Sequence, residues 1–198
     1  RGQIHSEALK TVRFERFLQR AGIGAAPQTF ARAYLSALAR AHTLWPGCQA
    51  ALSALRSRYR LALLTNGLHS VQRPRLERAG LTSLFEVVVI SVEIGIAKPA
   101  RAFFDIALVR MGRPRPDHVL MIGDNWATDI VGAASCGLDV CWFNPSGQPV
   151  PEPSPPLRMV TVRSWSQLCE WLLGPATAWS PAQGGPVSPA EAGPGGPS

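Results

Sequence analysis

Four short apolar runs in the middle of the chain limit its fold more than any other feature. They lie within YRLALLTNG, FEVVVIS, HVLMIGD and DVCWFN, and MVTV is a fifth, shorter run nearer the C-terminus. Their apolar residues are continuous rather than alternating, and this pattern is typical of strands that are covered on both faces in a parallel sheet. The sequence therefore predicts five strands in a largely buried sheet.

Helical stretches alternate with these strands. Three of them are each followed by a glycine that suits a left-handed helix cap: the stretches are 70–79, 100–111 and 126–135, and the glycines are Gly80, Gly112 and Gly137. A fourth stretch covers 164–173. Alternating strands and helices predict a doubly wound parallel α/β sheet with right-handed crossovers, in which ligands bind at the carboxyl ends of the strands.

The two ends of the chain differ from this central part. Residues 3–41 have apolar side chains at intervals of three and four residues, interrupted at 22–27, and we expect two amphipathic helices there. A further short helix is expected after Pro46 and Gly47. Residues 174–198 are rich in Gly, Pro, Ala and Ser, and they are predicted to be a disordered tail because they bury too little apolar surface.

The composition argues against several classes of protein. The net charge of +7 comes mainly from arginines that are scattered and have no interleaved aromatic residues, so we expect no nucleic-acid partner. No apolar run approaches the roughly 20 residues of a membrane span, and the first residues contain no apolar segment of a secretory signal. The four cysteines lack CxxC spacing, which predicts buried reduced thiols in a cytoplasmic protein. We also expect no membrane partner.

Polar residues follow two of the predicted strands, at the point where each strand ends. Thr65, Asn66 and Gly67 end the first strand, and Asp124 ends the third. Because the carboxyl ends of parallel strands lie at one edge of a sheet, we expect these residues to converge. A hydroxyl group and the free backbone N–H groups around Asn66 and Gly67 suit a phosphoryl group.

Lys98 and Asp129 complete this set. Lys98 precedes Pro99, and a proline fits the first turn of a helix, so the ammonium group is expected near a helix N-terminus at the same edge. Asp129 follows Asp124 by five positions, and two carboxylates suit a hard cation such as Mg²⁺. Taken singly, each residue also has a simpler explanation, since Asp124 fits a turn, Asp129 fits the first turn of a helix and a lysine is usually solvated.

The order and spacing of these residues resemble those of one family. LLTNG, SVEIGIAKP and MIGDNWATDIVGAASCGLDVCWFN are similar to the motifs of the haloacid dehalogenase-like hydrolases, from about Leu44 to Asn144, and the chain looks most like the pyrimidine 5′-nucleotidase type. The resemblance implies a Mg²⁺-dependent phosphatase that releases phosphate from nucleoside monophosphates. The acidic pair in GDNWATD favours phosphoryl chemistry over the cleavage of a carbon–halogen bond.

The resemblance also implies a role for each matching residue. Thr65 would donate a hydrogen bond to the transferring phosphoryl group, and Lys98 would neutralise its charge and that of the nucleophile. Asp124 and Asp129 correspond to the acidic pair that holds Mg²⁺ directly or through water. The implied mechanism is in-line attack by an aspartate, a phospho-aspartyl intermediate and hydrolysis by water.

The chain departs from the family pattern at its beginning. Family members start with a strand that ends in Asp-x-Asp and carries the nucleophile at the centre of the sheet, and no such pair precedes Thr65 here. We therefore expect residues 1–43 to be the later part of a helical cap, and residues 44–173 to be a core that lacks its first strand. We also expect further N-terminal residues in the natural protein, and little activity or stability in this chain alone.

Two further residues and two competing functions remain open. His69 follows the Thr65 loop and is a candidate for substrate contact, and Glu93 is a candidate for orienting Lys98. A phosphatase for sugar phosphates or phosphoglycolate on the same scaffold is one alternative to a nucleotidase. The other is a catalytically dead protein that keeps the phosphate and metal pocket. In each case the expected partner is a small phosphate ester or phosphate itself.

Overall fold

Five parallel strands and eight α-helices make up the part of the chain that the structure describes. The computed structural model describes the backbone of residues 6–152 and 159–174, and the side chains from residue 12 onward within these ranges. The strands are β1 (Ala62–Thr65), β2 (Val87–Ile90), β3 (Leu120–Gly123), β4 (Asp139–Phe143) and β5 (Met159–Val162). All five were predicted from the apolar runs, whereas the predicted disordered tail lies outside the described residues, apart from Gly174.

The helices follow the predicted alternation with small shifts in their bounds. They are α1 (Ser6–Ala21), α2 (Pro27–Arg40), α3 (Cys48–Arg56), α4 (His69–Arg78), α5 (Ser91–Ile94), α6 (Arg101–Arg110), α7 (Gly132–Ala134) and α8 (Trp165–Leu173). Short 3₁₀ turns at 82–84 and 116–118, and the single turn α5, were not predicted. The three predicted cap glycines, Gly80, Gly112 and Gly137, have the positive φ angles that a left-handed cap requires.

One predicted helix is wrong in its geometry. Residues 126–135 were expected to be a regular helix, but Trp126–Val131 forms a π-helix that runs into α7. The Asn125 carbonyl accepts hydrogen bonds from the N–H groups of both Asp129 (2.9 Å) and Ile130 (3.3 Å), and this double acceptance widens the turn. The Asn125 side chain caps the same turn by accepting from Thr128 N at 2.9 Å.

The position of Pro99 also differs from the prediction. Pro99 was expected in the first turn of a helix, but α6 begins at Arg101 with Ala100 as its N-cap residue. Lys98 therefore lies in the turn that precedes α6 rather than at the helix itself. The ammonium group nevertheless reaches the carboxyl edge of the strands, as the site below describes.

The five strands form two sheets in the described part of the chain. β1 pairs with β2, and β3, β4 and β5 form a second sheet in that order, with every pairing parallel. β1 and β3 are not hydrogen-bonded to each other. Side chains join the two sheets instead, because Leu64 of β1, and Leu61 just before it, pack against clusters that β3 residues also contact.

The second sheet is covered on both faces, as continuous apolar strands require. Cys141 and Phe143 of β4 pack on one face against α3 and α8, and Val140 and Trp142 pack on the other face beside the π-helix and α7. This alternation buries all five residues of β4. The layers of helix, sheet and helix confirm the predicted doubly wound α/β class.

Two predictions made from the composition concern the state of the cysteines and the question of a membrane-spanning segment. All four cysteines are free thiols, three of them are buried, and burial raises the pKa of Cys141 to about 12. The expectation of buried thiols is met at Cys48, Cys136 and Cys141, whereas Cys169 is half-buried. No helix in these residues combines the length and apolar character needed to cross a membrane.

The helical pair α1 and α2 packs against the core through α4. Within the pair, the Phe14 ring lies 5.5 Å from Phe30 and 5.1 Å from Tyr34, measured between ring centroids. Two arginines of α4 hold the C-terminal end of α2, since Arg75 Nε donates to the Ala41 carbonyl and Arg78 Nη1 donates to the Ala39 carbonyl. The assignment of residues 1–43 as a cap stays a prediction.

Candidate active site

Lys98 links the carboxyl ends of β1 and β3. Its ammonium group donates to the Leu64 carbonyl at 2.9 Å and to Asp129 Oδ1 at 2.7 Å. The side chains of Lys98 and Asp129 are each only 7% exposed. Placing two charges out of water is costly, and the pair is tolerated because each charge has close hydrogen-bonding partners. The sequence-based expectation that Lys98 reaches this edge is met.

The Asp129 carboxylate is fixed from three further directions. Its Oδ2 accepts from the backbone N–H of Asn125 at 3.1 Å, and its Oδ1 accepts from Thr128 Oγ1 at 3.3 Å. The carboxylate also lies over Gly123, where a Cβ atom would come within 2.5 Å of Asp129 Oδ2. Gly123 is therefore needed at the end of β3, because any side chain there would displace the Asp129 carboxylate.

Asp124 has a different environment, since its side chain is exposed just beyond β3. Its backbone is held by Trp142, whose Nε1 donates to the Asp124 carbonyl at 3.1 Å. The Trp142 ring is packed edge-on against Trp126 at 5.0 Å between centroids. Sequence reasoning missed this contact, although a tryptophan inside a buried strand signals an indole N–H that needs an acceptor.

The loop after β1 is held by its own side chains and by their partners. The Asn66 side chain forms two hydrogen bonds with the Lys98 backbone, because Oδ1 accepts from Lys98 N and Nδ2 donates to Lys98 O, each at 2.8 Å. Thr65 Oγ1 accepts from Gln72 Nε2 at 3.0 Å. The Gly67 N–H was predicted to be free for a ligand, but it donates to Ser91 Oγ at 3.1 Å.

Glu93 does not contact Lys98, so the expectation that it orients this lysine is wrong. Its carboxylate instead receives both Nε and Nη2 of Arg73, at 3.0 and 2.9 Å, and lies 2.6 Å from His69 Nδ1. Hydrogen bonds from Arg73 and then from His69 lower the pKa of Glu93. The His69 side chain is 63% exposed, and its predicted contact with a substrate stays a prediction.

The oxygen atoms at the end of β3 fit part of a site for a hard divalent cation. Asp124 is exposed, and Asp129 is held within reach of the same strand end by Gly123 and Asn125. Within residues 6–152 and 159–174, no group of three or more His, Cys, Asp or Glu side chains is placed to hold a metal ion. Two carboxylates suit Mg²⁺, which commonly keeps several of its water ligands.

A cavity opens beside Thr65. It has a volume of about 330 Å³ and lies between β1, α4 and the segment that joins α2 to α3. Its polar lining includes His42, Thr43, Thr65, Gln72 and Arg75, and the remaining lining residues are mainly leucines. Thr65 is the one candidate site residue on this lining, since Asn66, Lys98, Asp124 and Asp129 do not contribute to it.

Comparison with known proteins agrees with this geometry. The family model described as haloacid dehalogenase-like hydrolase matches residues 7–137, which is more than half of the chain. The chain belongs to the haloacid dehalogenase-like hydrolase family. The resemblance inferred from LLTNG, SVEIGIAKP and the GDNWATD region is thereby confirmed, and so is the fold class.

Two curated relatives illustrate the range of phosphatases within this family. The pyrimidine 5′-nucleotidase YjjG of Escherichia coli (strain K12) is 38% identical over 151 residues, which are 76% of this chain and 66% of that protein. The phosphoserine phosphatase of Thermus thermophilus is 40% identical over 126 residues, which are 63% of this chain and 50% of that protein. The match thus spans between half and two thirds of these relatives' lengths.

A solved structure supports the same architecture. The crystal structure of the HAD-hydrolase YfnB from Bacillus subtilis, bound to magnesium, matches with a TM-score of 0.77 at 28% identity. The match covers 85% of this chain and 73% of that one. The family member described here therefore shares its backbone arrangement with a protein that was crystallised with magnesium.

Proposed function

We propose that this family member is a Mg²⁺-dependent phosphomonoester hydrolase whose substrates are nucleoside 5′-monophosphates. The observation that carries the proposal is that Lys98 joins the Leu64 carbonyl, one residue before Thr65 at the end of β1, to the Asp129 carboxylate beside the end of β3. A buried cation, a hydroxyl group and carboxylates at one sheet edge are the groups that bind a phosphoryl group and its metal ion.

Asp124 and Asp129 are the residues that would hold Mg²⁺. When bound, the metal ion would neutralise charge on the phosphoryl oxygens as a Lewis acid. The Asn125 N–H and Gly123 keep the Asp129 carboxylate at the strand end, and the Trp142 indole keeps the Asp124 backbone in place. These contacts pre-organise the Asp129 carboxylate and the Asp124 backbone before a ligand binds.

Lys98 and Thr65 are the residues that would bind the transferring group. The Asn66 side chain fixes the Lys98 backbone, so the ammonium group stays near the strand ends as charge develops on the phosphoryl oxygens. The Thr65 hydroxyl would donate to one of these oxygens. In the mechanism that the family implies, the attacking carboxylate is an aspartate of an Asp-x-Asp pair, which this sequence does not contain.

The proposed substrate class rests on the relatives. YjjG is named as a pyrimidine 5′-nucleotidase and is 38% identical to this chain. A second candidate is another small phosphate ester, which the phosphoserine phosphatase favours at 40% identity over a shorter segment. A third is a phosphate-binding protein without turnover, because the roles proposed for Lys98 and Thr65 are to bind phosphate rather than to attack it.

A substrate panel separates these candidates. The protein, produced from its complete reading frame, is assayed for phosphate release from uridine and thymidine 5′-monophosphates, phosphoserine and phosphoglycolate, with Mg²⁺ and with a chelator. Release of chloride from a 2-chloro acid is measured in parallel. Preference for the nucleotides supports the nucleotidase, preference for another ester supports the second candidate, and inorganic phosphate binding without turnover supports the third. Chloride release would contradict phosphatase function.

The substitution Asp124→Asn tests the metal assignment. It removes an anionic ligand while keeping the size of the side chain, so Mg²⁺-dependent turnover is expected to be abolished. Asp105→Asn is the matched control, because Asp105 is an exposed residue of α6 that faces Arg101 rather than the strand ends. Full activity in Asp124→Asn would show that this carboxylate does not hold the metal ion.

A further inference from the structure

Gln72 contacts Thr65, the residue that the proposed function makes a hydrogen-bond donor to the phosphoryl group. It lies in the first part of α4, is half-buried, and its Nε2 donates to Thr65 Oγ1 at 3.0 Å. Both residues line the cavity of about 330 Å³ beside β1. Gln72 therefore holds the Thr65 hydroxyl at the wall of a cavity that both side chains line.

Gly67 explains how the Gln72 side chain reaches this position. A Cβ atom on Gly67 would lie 2.6 Å from Gln72 Nε2 and 2.9 Å from Gln72 Cγ. Gly67 does not have a positive φ angle, so its backbone conformation is open to other residues. The glycine is thus required for the space that the glutamine occupies, which ties the Thr-Asn-Gly loop to Gln72.

The direction of the hydrogen bond determines where the hydroxyl proton points. A threonine hydroxyl has one proton to donate and two lone pairs to accept with. Because the amide group of Gln72 donates to the oxygen, one lone pair is used and the hydroxyl proton is left to bind another acceptor. A phosphoryl oxygen has only acceptor sites, so a hydroxyl group prepared in this way matches it.

We propose that Gln72 is a positioning residue for phosphoryl binding, and that it acts by orienting the Thr65 hydroxyl so that its proton points toward the phosphoryl group. This inference rests on the proposed function, since it takes Thr65 as a donor to phosphate. Gln72 does not touch the phosphoryl group itself. Its effect is therefore transmitted only through Thr65, and this dependence makes the inference testable.

The experiment is a double-mutant cycle with Thr65→Val and Gln72→Leu, singly and together. The kcat and KM for p-nitrophenyl phosphate and the Kd for inorganic phosphate are measured for each variant. Gln72→Leu is expected to lower kcat, or to weaken phosphate binding, by about tenfold in the wild-type background. In the Thr65→Val background it is expected to have no further effect, because the hydroxyl that it orients is gone.

Two further variants test the direction of the hydrogen bond and the specificity of the effect. Gln72→Glu places a carboxylate beside Thr65 that accepts the hydroxyl proton, so it is expected to be worse than Gln72→Leu. Gln49→Leu makes the same kind of change at an exposed position on α3 and is expected to leave kcat, KM and Kd unchanged. Thermal unfolding of every variant identifies a loss caused by misfolding.

The outcomes separate this inference from the proposed function. Equal effects of Gln72→Leu in both backgrounds would mean that Gln72 acts independently of Thr65 and would overturn the inference alone. A change in the melting temperature of Gln72→Leu with unchanged kcat and Kd would also overturn the inference alone. If the unsubstituted protein neither hydrolyses the ester nor binds inorganic phosphate, the proposed function is wrong and the inference falls with it. If it binds phosphate without turnover, the cycle is evaluated through Kd.

Discussion

Single residues at the strand ends each connect distant parts of the chain. Lys98 bonds to Leu64 and Asp129, which are 34 and 31 positions away. Asn66 holds the Lys98 backbone across 32 positions. A buried ion pair contributes little net stability after desolvation, so we interpret the Lys98–Asp129 pair through the ligand it is proposed to bind rather than through the stability of the fold.

The ion-pair group around Glu93 leads to a prediction at the scale of single residues. The pKa of Glu93 is lowered below its ordinary value of 4.5, first by Arg73 and then by His69. A carboxylate with a lowered pKa stabilises the folded state above its unfolded pKa, and this contribution is lost as the pH falls through the folded value. Glu93→Gln is therefore expected to be less stable than wild type at neutral pH, with a difference that shrinks below about pH 4.5.

Urea unfolding, followed by circular dichroism from neutral pH down to about pH 3, measures this difference. Glu170→Gln is the control, because Glu170 is an exposed residue of α8 that belongs to no ion pair in the described part of the chain. A difference between wild type and Glu93→Gln that grows as the pH falls would contradict the assignment of the stabilising interaction to the ionised carboxylate.

At the scale of elements, the ends of the helices decide where the site residues lie. The wide π-turn at Trp126–Val131 begins at Asn125, and the same residue both caps the turn and donates its N–H to Asp129. Extra residues in a helical turn are often found at functional sites, because they redirect one side chain without ending the helix. Here the redirected side chain is the Asp129 carboxylate.

The N-terminus of α8 provides a prediction at this scale. Ser164 is its N-cap residue, and its hydroxyl accepts from Gln167 N at 3.1 Å. Ser164→Ala removes this acceptor, so we expect the free energy of unfolding to fall by about 1 kcal/mol. Chemical denaturation measures the loss. Ser164→Asp, which can also cap a helix, should recover most of it, and Ser53→Ala on the exposed face of α3 should cost little. Equal stability of Ser164→Ala and wild type would contradict the cap.

At the scale of the whole molecule, the division into two sheets is the main feature. β4 is paired on both sides, whereas β1 and β3 each have one hydrogen-bonded neighbour among the described strands. The backbone groups on the other side of β1 and β3 lie at the junction of the two sheets, next to the proposed site. The division thus lies beside the Lys98–Asp129 contact, through which Leu64 of β1 is linked to the π-turn that follows β3.

Amide hydrogen exchange tests this description of the molecule. The amides of β4 are expected to exchange most slowly, because they lie in the middle of a sheet and all five residues are buried. The amides of β1 and β3 are expected to exchange faster. Measurement by mass spectrometry or NMR resolves the strands separately. Protection of β1 and β3 equal to that of β4 would show that both strands are paired on two sides in solution.

The sequence predicted the order of the elements because the signals for strands and helices are local. Continuous apolar runs, spacings of three and four residues, and glycines with positive φ angles act within a few neighbouring positions. The strand-end residues Thr65 and Asp124 were predicted for the same reason, because a polar residue that directly follows a buried apolar run marks the end of the strand in the sequence itself. The regular helix at 126–135 failed because the π-turn depends on a single carbonyl that accepts two N–H groups.

The sequence by itself determined the family, the α/β class and the residues that end the strands, because hydrophobic spacing and motif order are written along the chain. Only the tertiary structure decided which groups meet: Lys98 pairs with Asp129 and not with Glu93, Gly67 donates to Ser91, and Trp142 holds the Asp124 backbone. Each of these contacts joins residues that are between 18 and 31 positions apart. Such contacts arise from the packing of strands and helices, and local patterns in the sequence carry no information about them.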